Sequence, residues 1–390
     1  MKILMLAPEP FFQPRGTPIS VYFRLRALSD LGHEVDLVTY HLGEDKLFPG
    51  LKIYRTPKLF FIPKIKIGPS LAKLPLDFLL FCRAAGRLFR KRYDLVFSHE
   101  EGAFLGVVLS KLWREPHLYD MHSSLPQQLE NFNFSRSRIL KAVFSRMERF
   151  ILKNSRSIIV ICRDLQNQVE RWGFGQKAVL IENFLDFPSP RYSEQAVREK
   201  RRALAPGGEK IVLYAGNFQH YQGIPLLLEA AAKVKEPAVF VLLGGTGVEL
   251  EEMRRKAADL GIASRVIFVE KVPPSEVPLF ISAADVLVSP RLSGTNTPLK
   301  IYSFLKSGKP FVATNLWTHT QVLTPEISLL AEPDPESLAK GIFFGLTQEE
   351  AQRRAAAARA LAEKKYVYPE YLKKITRVLD IASGTPSGKD

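Results

Sequence analysis

Residues 285–315 read DVLVSPRLSGTNTPLKIYSFLKSGKPFVATN, and the reading of this stretch decides the fold. Its first apolar run stops at Pro290 and reads as a buried strand. A loop of small polar residues follows, 291–296. Thr297 and Pro298 then read as the N-cap and first-position proline of a helix carrying Leu299, Ile301, Tyr302 and Leu305. Gly308 ends that helix, and 310–313 is the next apolar strand. The result is one βαβ unit whose loop lies at the carboxyl edge of a parallel sheet. Open α/β sheets hold ligands at that edge, and helix N-termini favour anions. Counted from a Thr297 cap, Lys300 takes the third helical position, where the macrodipole disfavours a cation. A bound anion such as phosphate gives this lysine a reason. A solvated lysine turned away from the dipole is the plain alternative.

The same alternation runs outward in both directions. Strand 210–216 leads through Asn217, Gln222 and Gly223 into a helix, and strand 238–243 ends in Gly244-Gly245-Thr246-Gly247. Strand 266–269 runs on towards Val272. Helices are expected over 334–346, 348–364 and 366–381. In the first half, strands at 1–8, 34–39, 94–98, 117–121 and 157–162 alternate with helices. Arg15, Gly16 and Thr17 occupy the first βα turn, where doubly wound domains commonly grip phosphate, although GxGxxG is absent. His99 and His122 follow strands at the ligand edge, where a histidine is structural as readily as functional. The fold class is therefore α/β, with two doubly wound domains facing across a cleft. Boundaries are expected at 1–187 and 188–365. A helix over 366–382 packs back on the first domain, and 383–390 is a flexible tail.

A chain of 390 residues is long enough for two cores. Cys82 and Cys162 lie in apolar surroundings, pointing to a reduced compartment without a disulfide or metal framework. The opening apolar run is too short for a membrane span and lacks a cleavage site, so a cytoplasmic protein is expected. The net charge of +15 is concentrated in two places. Residues 52–92 hold 11 basic residues against one acid, Asp77, with Phe60, Phe61, Ile62, Ile65 and Ile67 among them. Residues 136–156 hold seven basic residues against Glu148, with Ile139, Val143, Phe144, Met147, Phe150 and Ile151 at helical spacing. A solvated face, an anionic membrane surface and nucleic acid compete to explain this charge. Interleaved apolar side chains favour the membrane over nucleic acid, for which no motif is present.

The order of elements resembles the family 4 retaining glycosyltransferases, which have the GT-B fold of two Rossmann-like domains. Tyr214-Ala-Gly-Asn217 and Gln222-Gly223 are similar to that family's opening strand and its Lys-Gly loop. Leu242 to Gly247 resembles its Gly-rich strand end, and Val266 to Pro273 its base-lining stretch. Residues 284–290 through 308–313 resemble its donor-site signature. Asp120-Met-His122 is similar to its histidine near the reacting sugar, and Ile181-Glu-Asn183 to Asp186 to its interdomain link. The chain departs from the family at four donor contacts. Thr295 and Ser303 stand where two glutamates are usual, and Asn217 and Gln222 where an arginine and a lysine are usual. Hydroxyl and amide groups can still bond ribose or phosphate, and Lys300 and Arg291 can supply the missing charge.

The resemblance implies a retaining transfer of sugar from a nucleoside diphosphate sugar to an acceptor hydroxyl, in cell-surface polysaccharide or glycolipid synthesis. Lys300, Arg291, the backbone of Thr297, Pro298 and Leu299, and the Arg15–Thr17 turn would stabilise the leaving diphosphate. His122 would contact the transferred sugar, Thr295 and Asn296 its hydroxyls, Ser303 the ribose and Val272 the base. Gly216, Gly223, Gly244 and Gly245 complete the donor-binding set. Neither cofactor nor metal is expected, since the histidines are not paired at ligand spacing. Two alternatives remain: a GT-B protein that has lost its donor site, and a sugar-nucleotide epimerase using Glu100, Glu101, Asp120 or Glu270. The partners implied are the nucleotide sugar, a glycan or glycolipid acceptor and the anionic inner face of a membrane, with no nucleic acid. The oligomeric state stays open.

Overall fold

The computed structural model of the chain describes residues 1–13, 16–60, 62, 73–127, 137–182 and 192–384. Arg15, Phe61, Ile65, Ile67, Arg136, the link from Asn183 to Asp186 and the tail beyond 384 lie outside these residues. The chain divides into two units: Met1–Asn183 with Pro369–Asp390, and Phe184–Tyr368.

The first unit runs β1 (Lys2–Ala7), α1 (Thr17–Asp30), β2 (Glu34–Thr39), β3 (Leu51–Arg55), α2 (Leu74–Arg90), β4 (Leu95–His99), α3 (Gly102–Trp113), β5 (His117–Met121), α4 (Arg138–Asn154), β6 (Ser157–Val160), α5 (Arg163–Arg171) and β7 (Ala178–Leu180). Its seven strands lie in the order β3-β2-β1-β4-β5-β6-β7, and all the pairs are parallel. In the central strand Ile3 pairs with Val35 on one side and Leu95 on the other. β1 is a near-continuous apolar run, and β4 and β5 are buried along their whole length, because helices cover both faces of a parallel sheet. Right-handed crossovers put α1 on one face and α2, α3, α4 and α5 on the other. Leu76, Leu80, Ala84 and Leu88 of α2 are buried, and each leucine contributes roughly 1.5–3 kcal/mol.

The second unit runs α6 (Glu194–Leu204), β8 (Lys210–Ala215), α7 (Ile224–Lys233), β9 (Ala238–Gly245), α8 (Gly247–Asp259), β10 (Val266–Glu270), α9 (Val277–Ala283), β11 (Val286–Ser289), α10 (Lys300–Ser307), β12 (Phe311–Thr314), α11 (Trp317–Thr320), β13 (Leu329–Ala331), α12 (Pro335–Thr347) and α13 (Glu349–Lys365). Its six parallel strands lie in the order β10-β9-β8-β11-β12-β13. The last helix, α14 (Tyr368–Ser383), falls almost wholly within the first unit and buries Tyr371, Ile375, Val378, Leu379 and Ala382. Lys374 holds it to Glu182 at 2.5 Å. In each sheet the strand order reverses once, between β1 and β4 and between β8 and β11. Such switch points leave a crevice at the carboxyl ends of the strands.

One expectation is corrected here. Thr297 does not cap the helix. α10 begins at Lys300, with Leu299 as the flanking residue and no side-chain cap. Residues 298–301 form a turn closed by Ile301 N–H on the Pro298 carbonyl at 3.1 Å. Thr297 is buried and its hydroxyl finds no partner among the described residues. Lys300 is thus the first helical residue rather than the third, still within the turn where the dipole disfavours a cation.

Candidate functional site

The predicted residues of the second unit gather at the switch between β8 and β11. β8 hands over to Gly216 and Asn217, and β11 to the loop that leads into α10. Lys300 reaches back so that Nζ lies 3.9 Å from the centre of the Tyr214 ring and 3.5 Å from Gln222 Oε1. Gly216 makes that approach possible. A Cβ there would stand 2.7 Å from Tyr214 Oη and 2.8 Å from Lys300 Nζ. Gly244, at φ 111°, backs onto the Gly216 carbonyl so closely that a side chain would collide with it. Gly223 flanks the start of α7, and Gly245 closes β9 against the Phe218 ring.

The loop after β11 is held by side chains bonded to its carbonyls, which its own irregular backbone cannot satisfy. Arg291 donates from Nε to Ser293 O at 2.7 Å and from Nη1 to Asn296 O at 3.2 Å. Thr318 Oγ1 donates to Asn296 O at 2.7 Å, and Gln321 Nε2 to Thr295 O at 2.6 Å. Thr314 Oγ1 donates to Arg291 O at 2.6 Å. Arg291 also lies over the Tyr221 ring, 5.0 Å from its centre. Ser303 sits one turn along α10 from Lys300, half-buried. Asn217 is exposed, its Oδ1 accepting from Gln219 N at 3.3 Å. Val272 lies past β10 and packs on the core that includes Leu287 and Phe304.

Lys300 and Arg291 bring two basic side chains to this site. Desolvation, then repulsion from Arg291, pulls the Lys300 amine well below the usual lysine range. Burial likewise lowers Arg291. Among the described residues neither is joined to a carboxylate. Lys300 is half-buried as a residue, while its amine is desolvated. The unpartnered Thr297 hydroxyl adds a third unmet demand. An anion with several oxygens answers all three.

The first unit gathers a second cluster at its own switch between β1 and β4. Asp120, wholly buried, is 3.2 Å from His99 Nδ1 and 3.1 Å from His122 Nε2. Arg24 grips the same carboxylate from Nε at 3.2 Å and from Nη2 at 3.3 Å, and its Nη1 donates to Tyr371 Oη at 2.6 Å. Burial pushes Asp120 up, but Arg24 and the histidines outweigh it and hold the carboxyl well below its usual range. Burial takes His122 down to about 4, so its ring is neutral near pH 7. Glu9, after β1, is buried with His99 Nε2 3.8 Å from its Oε2, and burial raises its pKa. Glu100, after β4, has φ 48° and accepts from Ser123 Oγ at 2.9 Å. Burial lifts it to about 8.

His99, Asp120 and His122 bring ligand-type atoms within 4.8 Å of one another. The histidine spacing in the sequence gave no sign of this. The donor set fits a cation poorly, because the Arg24 charge already neutralises Asp120. The carboxylates considered for epimerase chemistry are also committed: Glu101 pairs with Lys73 at 3.0 Å, Asp120 with Arg24, and Glu100 with Ser123. Glu270 belongs to the other unit, at the end of β10.

Sequence reasoning missed Arg24, Tyr371, Tyr214 and Glu9. Arg24 was findable, since it shares an i, i+3, i+4, i+7 stripe with Val21, Leu25 and Leu28 and so faces the core.

Known proteins share this architecture. Residues 14–187 match the family described as Glycosyltransferase Family 4, and 196–361 the family described as Glycosyl transferases group 1. An uncharacterized glycosyltransferase of Methanocaldococcus jannaschii is 23% identical over 88% of this chain and 88% of its own length. The 2-deoxystreptamine N-acetyl-D-glucosaminyltransferase of Streptomyces fradiae is 22% identical over 90% of this chain and 87% of its own. Among solved structures, Anabaena HepE in complex with UDP superposes with a TM-score of 0.78 at 18% identity, covering 97% of this chain and 100% of that one. Sucrose-phosphate synthase from Thermosynechococcus elongatus superposes with a TM-score of 0.78 at 20% identity, covering 97% and 98%. The fold is GT-B, with two Rossmann-like domains.

Proposed function

We propose, because the chain belongs to the family 4, group 1 glycosyltransferases, that it moves a sugar from a nucleoside diphosphate sugar to an acceptor hydroxyl with retention of configuration. One observation carries the reading: two basic side chains, Lys300 and Arg291, stand at the β8/β11 switch point with no counter-ion among the described residues. A donor diphosphate supplies the missing anion. As the sugar–phosphate bond breaks, charge grows on the leaving diphosphate, and Lys300 is placed to stabilise it. Arg291 orders the loop through its carbonyl contacts and adds to the field. Ser303 and Thr295 take hydroxyls of the donor in place of carboxylates. His122, neutral and anchored on Asp120, serves the transferred sugar. The acceptor proton passes to the departing phosphate, so no protein base is required. The acceptor is a lipid-linked or cell-surface glycan, met by a protein peripheral to the inner face of a membrane.

The test is a thermal-shift panel of UDP, GDP, ADP and CMP on wild type and Lys300→Ala. UDP leads the panel because the Anabaena neighbour was solved with it. A ligand at a hundred times its dissociation constant adds about 2.7 kcal/mol of stability. One nucleotide should stabilise wild type, and the variant should lose most of that shift. If no nucleotide stabilises wild type, the four substituted contacts have emptied the site and the chain keeps the fold without the activity.

A further inference from the structure

α2 is apolar on both of its sides. Its inward stripe is Leu76, Leu80, Ala84 and Leu88. At 100° per residue, positions 78, 82 and 89 point together on the opposite side. Phe78 is 66% exposed and Phe89 78%, with Cys82 exposed between them. The neighbouring helices continue the pattern. Leu112 of α3 is 65% exposed and Ile139 of α4 79%. Ring contacts join the three. Phe89 packs edge-on against Trp113 of α3 at 4.9 Å, and Phe104 of α3 lies 6.1 Å from Phe150 of α4. All three helices lie on one side of the seven-stranded sheet, because the crossovers from β3 to β6 advance in one direction. Their outward apolar rows therefore form a single face.

The charge of that face has one sign. Lys111 and Arg146 are exposed on it, and Arg83, Arg90 and Arg149 are exposed along the flanks of the same helices. The three helices contain two acids, Asp77 and Glu148. Asp77 accepts from Tyr40 Oη at 2.5 Å. Glu148 is wholly buried and accepts from Leu125 N at 2.8 Å and Gln168 Nε2 at 2.6 Å. Neither turns its charge outward. Exposed aromatic and aliphatic residues among uniformly basic ones match the boundary of an anionic bilayer, where rings enter the headgroup layer and cations meet lipid phosphates.

We propose that the face formed by α2, α3 and α4 docks on an anionic lipid bilayer. This rests on the membrane part of the function proposed above and is independent of the donor site. The charge repels a second copy of the same face, which argues against self-association.

The experiment is co-sedimentation of the full chain with vesicles of phosphatidylcholine, alone or with about a third phosphatidylglycerol. Two variants accompany wild type: Phe78→Asp with Phe89→Asp and Ile139→Asp, and Lys111→Glu with Arg146→Glu. Wild type should pellet with the anionic vesicles only, less so as salt rises. Both variants should bind at least about tenfold more weakly. An environment-sensitive dye on Cys82 should shift to the blue as vesicles are added. Wild type that stays in the supernatant, or variants that pellet as wild type does, would overturn the proposal. So would a dimer of wild type that the same variants abolish without any vesicle binding. Circular dichroism guards against misfolding, and the nucleotide shift measured on the same preparations separates the two readings. Vesicle binding without a nucleotide shift sinks the donor site and leaves this face standing.

Discussion

The amine of Lys300 stands 3.9 Å over the centre of the Tyr214 ring, held there by a face that attracts cations but cannot neutralise one. Desolvation keeps its pKa well below the ordinary lysine value. An arriving phosphate reverses that shift. Between the free and bound pKa values, nucleotide binding therefore takes up a proton, and affinity falls as pH rises through that window. Calorimetry in two buffers of different ionisation heat should reveal the uptake, and Lys300→Met should abolish it. The unfolded chain protonates this lysine more readily than the folded one, so the residue costs the free protein stability as pH drops below the usual lysine range. Lys300→Met should accordingly stabilise the free protein at pH 7, by about 1 kcal/mol or more, in a denaturant titration.

Gly216→Ala puts a methyl group into a space bounded by Tyr214 Oη at 2.7 Å and Lys300 Nζ at 2.8 Å. The lysine is the softer neighbour and should be displaced. Nucleotide affinity is expected to fall at least tenfold for about 1–3 kcal/mol of stability. Gly244→Ala meets the Gly216 carbonyl instead and should cost more stability, since backbone cannot step aside. Thermal melts with and without nucleotide distinguish these outcomes. Equal melting temperatures for both variants and wild type would refute the packing argument.

Tyr371→Phe removes the oxygen that accepts from Arg24 Nη1. A buried charged donor left unsatisfied costs about 1–3 kcal/mol. Asp120→Asn, which breaks the ion pair on the other side of Arg24, should cost more, about 3–5 kcal/mol. Urea unfolding should rank the two in that order. The reverse ranking would mean that Arg24 is held mainly by the last helix.

Acid should destabilise the protein well above the carboxylate range. Burial lowers His117 to about 3, and His122 and His319 to about 4. A base with a lowered folded pKa is protonated first in the unfolded chain. Its contribution is therefore intact above about pH 6.5 and is lost as pH falls towards the folded value, by up to about 3 kcal/mol for His122 and His319 and about 5 kcal/mol for His117. His99, which its carboxylate neighbours raise against burial, opposes this trend. Unfolding free energies at pH 7, 5.5 and 4.5 should fall steeply in wild type and less steeply in His117→Gln. Parallel curves would contradict the assignment.

Both sheets were legible because parallel strands buried on two faces are unbroken apolar runs, as 285–290 and 310–313 show. The helix after them was legible, but its start was misplaced by two residues. Thr–Pro has the grammar of a cap, yet tertiary packing buried Thr297 and spent the turn on Pro298. Lys300 stays anomalous after that shift, because any position in the first turn conflicts with the dipole. The Asp120 cluster was illegible for a different reason. His99 faces Asp120 only through the register of β4 on β5, and strand pairing across 21 residues leaves no periodic trace in a sequence. Arg24 lay in plain view on an apolar stripe, and its partner Tyr371 came from a helix 347 residues away.

That last distance orders events in time. A chain emerging from the ribosome completes residues 184–368, one whole unit, before Tyr371 exists. Until α14 arrives, Arg24 is one acceptor short and the first unit lacks the side chains that α14 buries. The first unit should therefore mature after the second, although it is translated first. Pulse proteolysis of a released chain ending at residue 366 should find the second unit resistant and the first still cleavable.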